Sequence, residues 1–131
     1  MSDAPLPQPL IDFLAQHIDS VLELEVLLLL RSDPQKRWTA DTLADTLKID
    51  ARRADEYLRK FSTAAIFARS DQPVPEYFYA PSNPQLDQTI QTVADAYASH
   101  RVRVIGLIFS KPVSTLKSFA DAFRIRRDNN S

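Results

Sequence analysis

Residues 39–80 constrain the fold more than any other segment, because two short capped helical patterns there run directly into two strand-like runs. The first pattern is TADTLADTL. Thr39 can accept from the free N–H groups of a first turn, and Leu43 and Leu47, with Ala44 beside them, make one apolar face. Lys48-Ile49 breaks the pattern, and Asp50 offers a second cap. The next pattern is ARRADEYLRKFS, in which Ala54, Tyr57, Leu58 and Phe61 share one side of a helix and Arg52, Glu56, Arg59 and Thr63 the other. Helices joined so tightly must cross steeply. Residues 65–69 and 76–80 are then rich in aromatic and β-branched residues around SDQPVP, which predicts a strand, a Pro-containing turn and a returning strand. Helix, helix and hairpin in that order predict a winged helix-turn-helix, and hence a mainly α fold with a small β-hairpin (α+β), flanked by N-terminal helices and a C-terminal helical extension.

Ahead of this unit PLPQPL reads as a stiff leader and LIDFLAQHI as a short amphipathic helix ending near Asp19. Ser20 and Glu23 stand at capping-box spacing, so a second helix is expected from Val21 to Arg31. Its run VLLLL is apolar on every side, is bounded by Glu25 and Arg31, and falls far short of the ~20 residues of a bilayer span. It reads as a core helix that C-terminal helices of this chain or of a second chain must cover.

After the hairpin, Asn83-Pro84 opens another helix. Leu86, Ile90, Val93, Tyr97, His100, Val104 and Leu107 repeat at alternating spacings of four and three, a heptad seam on a long helix that Lys111-Pro112 would end. Gly106, the only glycine, is expected to permit a bend or a close helix approach. Ser114 or Thr115 can begin a last helix with Leu116, Phe119, Ala120 and Phe123 on one face and Arg124, Arg126 and Arg127 at its end. The expected division is 1–82 for the N-terminal helices and winged unit and 83–131 for the helical extension. The seam must bury its apolar residues against something, either its own domain or a second copy, and a homodimer through the extension is the expectation.

Composition restricts the chemistry. The absence of Cys excludes a disulfide framework, a Cys-based zinc site and a Cys nucleophile. A single Gly excludes phosphate-binding loops and dinucleotide fingerprints, which need several. The two histidines, His17 and His100, sit at helical spacing among apolar neighbours, as core or interface residues do. No enzyme, cofactor or metal site is therefore expected. The sequence shows no signal-peptide pattern at either end, and the cytoplasm is the expected compartment. A net charge of −1 argues against a protein that simply coats nucleic acid. The charge is uneven, with 4 Lys/Arg against 9 Asp/Glu in residues 1–50 and 7 against 2 in residues 100–128. The basic end reads either as a patch for phosphate or an acidic partner, or as solvated surface.

The segments WTADTLADTLKIDARRADEYLRKFSTAAIFAR and EYFYAP resemble bacterial winged-helix transcriptional regulators, in the broad manner of the MarR-like and PadR-like proteins. The resemblance implies duplex DNA as partner and a recognition helix over residues 51–62. Arg52, Arg53, Glu56, Arg59 and Lys60 would then be nearest the major groove, with Lys36, Arg37 and Arg69 on flanking phosphates. It also implies a dimer formed by helices outside the reading unit. Lys48 and Ala65 stand where such proteins commonly carry Gly. A wing tip with acidic Asp71, and Asp55 and Glu56 on the recognition helix, keep a second reading open, a winged helix that docks a protein instead of DNA.

Overall fold

Short polar side chains set where three of the helices begin. In a computed structural model that describes residues 6–110, the order is α1 (Gln8–His17), α2 (Val21–Ser32), α3 (Ala40–Leu47), α4 (Ala51–Thr63), β1 (Phe67–Arg69), β2 (Tyr77–Tyr79), α5 (Pro84–Ser99) and α6 (Arg101–Phe109). Ser20 Oγ accepts from Glu23 N–H at 3.2 Å, Thr39 Oγ1 from Thr42 N–H at 3.1 Å and Asn83 Oδ1 from Leu86 N–H at 2.8 Å. At α3 the box is reciprocal, with Thr39 N–H donating to Thr42 Oγ1 at 2.9 Å. Glu23 does not close a box on Ser20; its Oε1 accepts from Asp19 N–H at 3.2 Å. Asp50 holds the N-cap position of α4 without a side-chain capping bond.

Helices α3 and α4 end in the same backbone device. Lys48 (φ 58) and Ala65 (φ 63) are left-handed, and the following amides reach back across the helix ends, Ile49 N–H to Ala44 O at 3.1 Å and Ile66 N–H to Phe61 O at 2.9 Å. Each places a β-carbon where glycine would carry none, at a cost of roughly 1–2 kcal/mol. The gain is two sharp turns, one throwing α4 across α3 and one sending the chain from α4 into β1.

The wing pairs antiparallel in the register Phe67–Tyr79, Ala68–Phe78, Arg69–Tyr77. Trp38 adds a single bridge on the other edge of β2, with Trp38 N–H to Tyr77 O at 2.8 Å and Tyr77 N–H to Trp38 O at 2.7 Å. The hairpin is thus tied to the chain just before α3, and an isolated two-stranded ribbon would be only marginally stable. Tyr79 Oη donates to Asp87 Oδ1 at 2.7 Å, fixing the other end of β2 to the first turn of α5. Burial and that carboxylate push the Tyr79 phenol well above its usual range.

The core gathers Leu24, Val26, Leu27 and Leu30 of α2 with Leu43, Leu58, Phe61, Ile66 and Tyr77, and α2 packs on α4 and β2 within the chain, with Leu28 and Leu29 of its apolar run left half-buried. Leu10, Phe13 and Leu14 of α1 join the same cluster, and α5 and α6 pack on α1. Buried residues of 6–82 and of 83–110 therefore belong to one continuous core.

The long seam helix is not observed. The chain leaves helical geometry at His100 (φ −135, ψ 50), ending α5 at Ser99 and restarting as α6 at Arg101. Ser99 Oγ and His100 Nδ1 lie 2.9 Å apart, a local side-chain contact at the break. The break lets both segments lie against α1. Ile90, Val93, Tyr97 and Val104 are buried in the chain's own core, whereas Leu86, His100 and Leu107 are half-buried. Gly106 neither bends the helix nor permits a close approach, since a Cβ there would meet nothing within 4 Å. The expected stop at Lys111-Pro112 and the helix beginning at Ser114 or Thr115 lie outside the described residues.

Candidate nucleic-acid interface

The apolar side of α4 fixes what its other side displays. Ala54, Leu58 and Phe61 are buried, so the positions about half a turn away face solvent, and Arg52, Glu56, Arg59 and Thr63 form one exposed ridge. Arg53 is exposed on the flank of that ridge. Arg59 Nε pairs with Asp55 Oδ2 at 2.9 Å across one helical turn. An exposed i,i+4 pair contributes only ~0.3–0.5 kcal/mol, so Arg59 can be redirected at little cost.

Lys60 departs from the expectation that it joins this ridge. It turns to the α1–α2 junction, where its Nζ lies 3.2 Å from Asp19 Oδ2 and also bonds Glu23 Oε1. The reason is electrostatic: Glu23 is 8% exposed, and a carboxylate so far from water needs a partner charge. Burial pulls the Lys60 ammonium down, but the two carboxylates outweigh it and leave its pKa above the ordinary lysine value. His17, its ring tilted 46° to that of Phe13 at 4.8 Å between centroids, is held below its usual value by burial and by the nearby Lys60 charge.

The wing carries its cations on aromatic rings. Lys36 Nζ sits 4.0 Å from the Trp38 ring centroid, and the guanidinium carbons of Arg37 and Arg69 sit 4.2 Å and 6.0 Å from the rings of Phe78 and Tyr77. Because Trp38 and β1 flank β2 on opposite sides, Lys36 and Arg37 occupy one edge of the sheet and Arg69 the other. Arg69 closes a cavity of about 210 Å³ with Arg59, Ser62 and Thr63, between the end of α4 and the first wing strand.

Sequence reasoning missed the structural part played by Trp38, the Lys60–Glu23 tie and the contribution of Ser62. A signal for the first existed, an aromatic residue immediately before the Thr39 cap. The others depend on which distant elements meet. Among the described residues no group of His, Asp and Glu is placed to hold a metal, and no helix is long and apolar enough to cross a membrane.

The backbone is similar to that of two solved proteins. One, from Methanosarcina mazei Go1, is described as a "possible transcriptional regulator"; it is 21% identical over 71% of this chain and 81% of that one, with a TM-score of 0.52. The other is a mutant of MepR from S. aureus bound to an oligodeoxyribonucleotide, 10% identical over 91% of this chain and 87% of that one, with a TM-score of 0.53. No family model matches the chain, and no curated protein matches it. The likeness establishes the winged-helix fold.

Proposed function

We propose that this chain is a DNA-binding transcriptional regulator that reads duplex DNA with α4. The observation that carries the reading is the exposed ridge of Arg52, Glu56, Arg59 and Thr63, flanked by Arg53 and standing beside a wing whose exposed cations are Lys36, Arg37 and Arg69. A helix of this width fits the major groove, where the guanidinium groups of Arg52 and Arg53 can meet guanine edges and Glu56 can accept from cytosine. Ring-stacked cations on the wing are preorganised for phosphates on either side. The oligonucleotide bound to the MepR mutant supports the same partner for this fold. On this reading the protein works in the cytoplasm as a homodimer, so that two copies of α4 meet successive major-groove faces about 34–36 Å apart.

Fluorescence anisotropy with random and genome-derived duplexes, titrated from low to physiological salt, tests it. Salt-sensitive binding with a sequence preference is the expected result. Absence of binding even at low salt would transfer the reading to a protein-interaction module, which Glu56 and Asp71 on the same surface would serve.

A further inference from the structure

The geometry points to a phosphodiester site in the cleft between α4 and β1, lined by Arg59, Ser62, Thr63 and Arg69. This deepens the DNA reading by assigning the cleft a task separate from base recognition: it seats one backbone phosphate of the duplex and so sets how α4 enters the groove.

The cleft brings two guanidinium groups together with two hydroxyls, all donors, and no carboxylate lines it. That set suits a small polyanion, and paired guanidinium groups match phosphate oxygens in both charge and shape. Asp55 is the acid paired with Arg59. It engages Nε of Arg59 at 2.9 Å and so orients the guanidinium while leaving its two Nη groups as donors. Among the described residues the hydroxyls of Ser62 and Thr63 make no hydrogen bond within the chain.

A helix C-terminus ordinarily repels anions through its carbonyls. Here three of the last four carbonyls are occupied: Lys60 O accepts from Ala64 N–H at 3.1 Å, Phe61 O from Ile66 N–H at 2.9 Å and Ser62 O from Ala65 N–H at 3.0 Å. The left-handed Ala65 that makes these bonds also folds β1 back alongside α4. At about 210 Å³ the cleft has room for a phosphate group between the two guanidinium-bearing side chains.

The test uses the full chain and two variants: Arg59→Gln with Arg69→Gln, and the same two positions changed to Lys. Each is titrated with a short duplex across a salt series. Loss of one phosphate contact lowers the slope of log affinity against log salt by about 0.9. The double Gln variant is expected to lose at least that much while keeping its preference for one sequence over another. The Lys variant is expected to restore most of the slope. A merely structural role would not move the slope, and unchanged thermal melting of the variants confirms that they fold. An unchanged slope in the double Gln variant overturns the cleft while leaving the DNA reading intact. Loss of sequence preference along with the slope also overturns it, since the arginines would then be reading bases. A wild-type chain that binds no duplex at any salt removes both.

Discussion

The five cations in and around α4 and the wing strand β1 do different work although they look alike in sequence. Lys60 neutralises a nearly buried carboxylate, whereas Arg52, Arg53, Arg59 and Arg69 stand at the surface. Lys60→Ala is therefore expected to lower unfolding free energy by about 1–3 kcal/mol, because Glu23 is left without its partner. Arg52→Ala should change it by less than about 0.5 kcal/mol while weakening duplex binding. Denaturant unfolding beside anisotropy separates the two effects, and equal stability losses would refute the division. His17 adds a pH dependence whose direction is fixed by its lowered pKa. The folded chain takes up that proton less readily than the unfolded one, so its contribution is present above about pH 6.5 and is lost as pH falls toward the folded value. Urea midpoints should fall between about pH 7.5 and 5.5, and His17→Gln should flatten that fall. Lys60 acts in the opposite window: its raised pKa keeps its stabilisation intact through neutrality, with loss only above the ordinary lysine value.

Among the elements, those whose information is local were legible in the sequence. Thr39, Ser20 and Asn83 announced their helices because a cap and the turn it satisfies lie within four residues. The exposed ridge of α4 followed from its period alone. The seam after residue 83 misled for a physical reason: α5 and α6 each bury a face on α1, and two short amphipathic helices in succession can imitate one long heptad stripe. Periodicity does not record a one-residue break such as that at His100. The bridge at Trp38 left only a faint trace, an aromatic residue ahead of the Thr39 cap, since a single bridge has no strand pattern. Lys48 and Ala65 show the opposite case, where a departure from the glycine common in similar proteins was visible and the backbone took the left-handed turn regardless. Ala65→Gly and Lys48→Gly should each raise stability by up to about 1 kcal/mol, with release of left-handed strain partly offset by greater freedom of the unfolded chain. Thermal melting checks this, and a loss at both sites would mean that the β-carbons pack usefully.

At the scale of the molecule, the surface that the described residues leave over after folding narrows where a second copy can bind. Ile90, Val93, Tyr97 and Val104 are spent on the internal core, whereas Val102 and Phe109 on α6 are 82% and 78% exposed. The homodimer proposed above would then be carried by α6. Val102→Glu with Phe109→Glu should leave the fold intact and convert dimer to monomer in light scattering, whereas Val104→Glu should unfold the chain by burying a charge. A dimer that survives the exposed pair of changes would move the interface elsewhere. The wing, finally, has its own optical reporter. The one tryptophan of the chain is Trp38, locked to Tyr77 through two backbone bonds and capped by the Lys36 ammonium. Any ligand that draws Lys36 off the indole or shifts β2 will change the colour and yield of the protein's own emission, so the hairpin's movements can be followed in unlabelled protein, in real time and at dilute concentration.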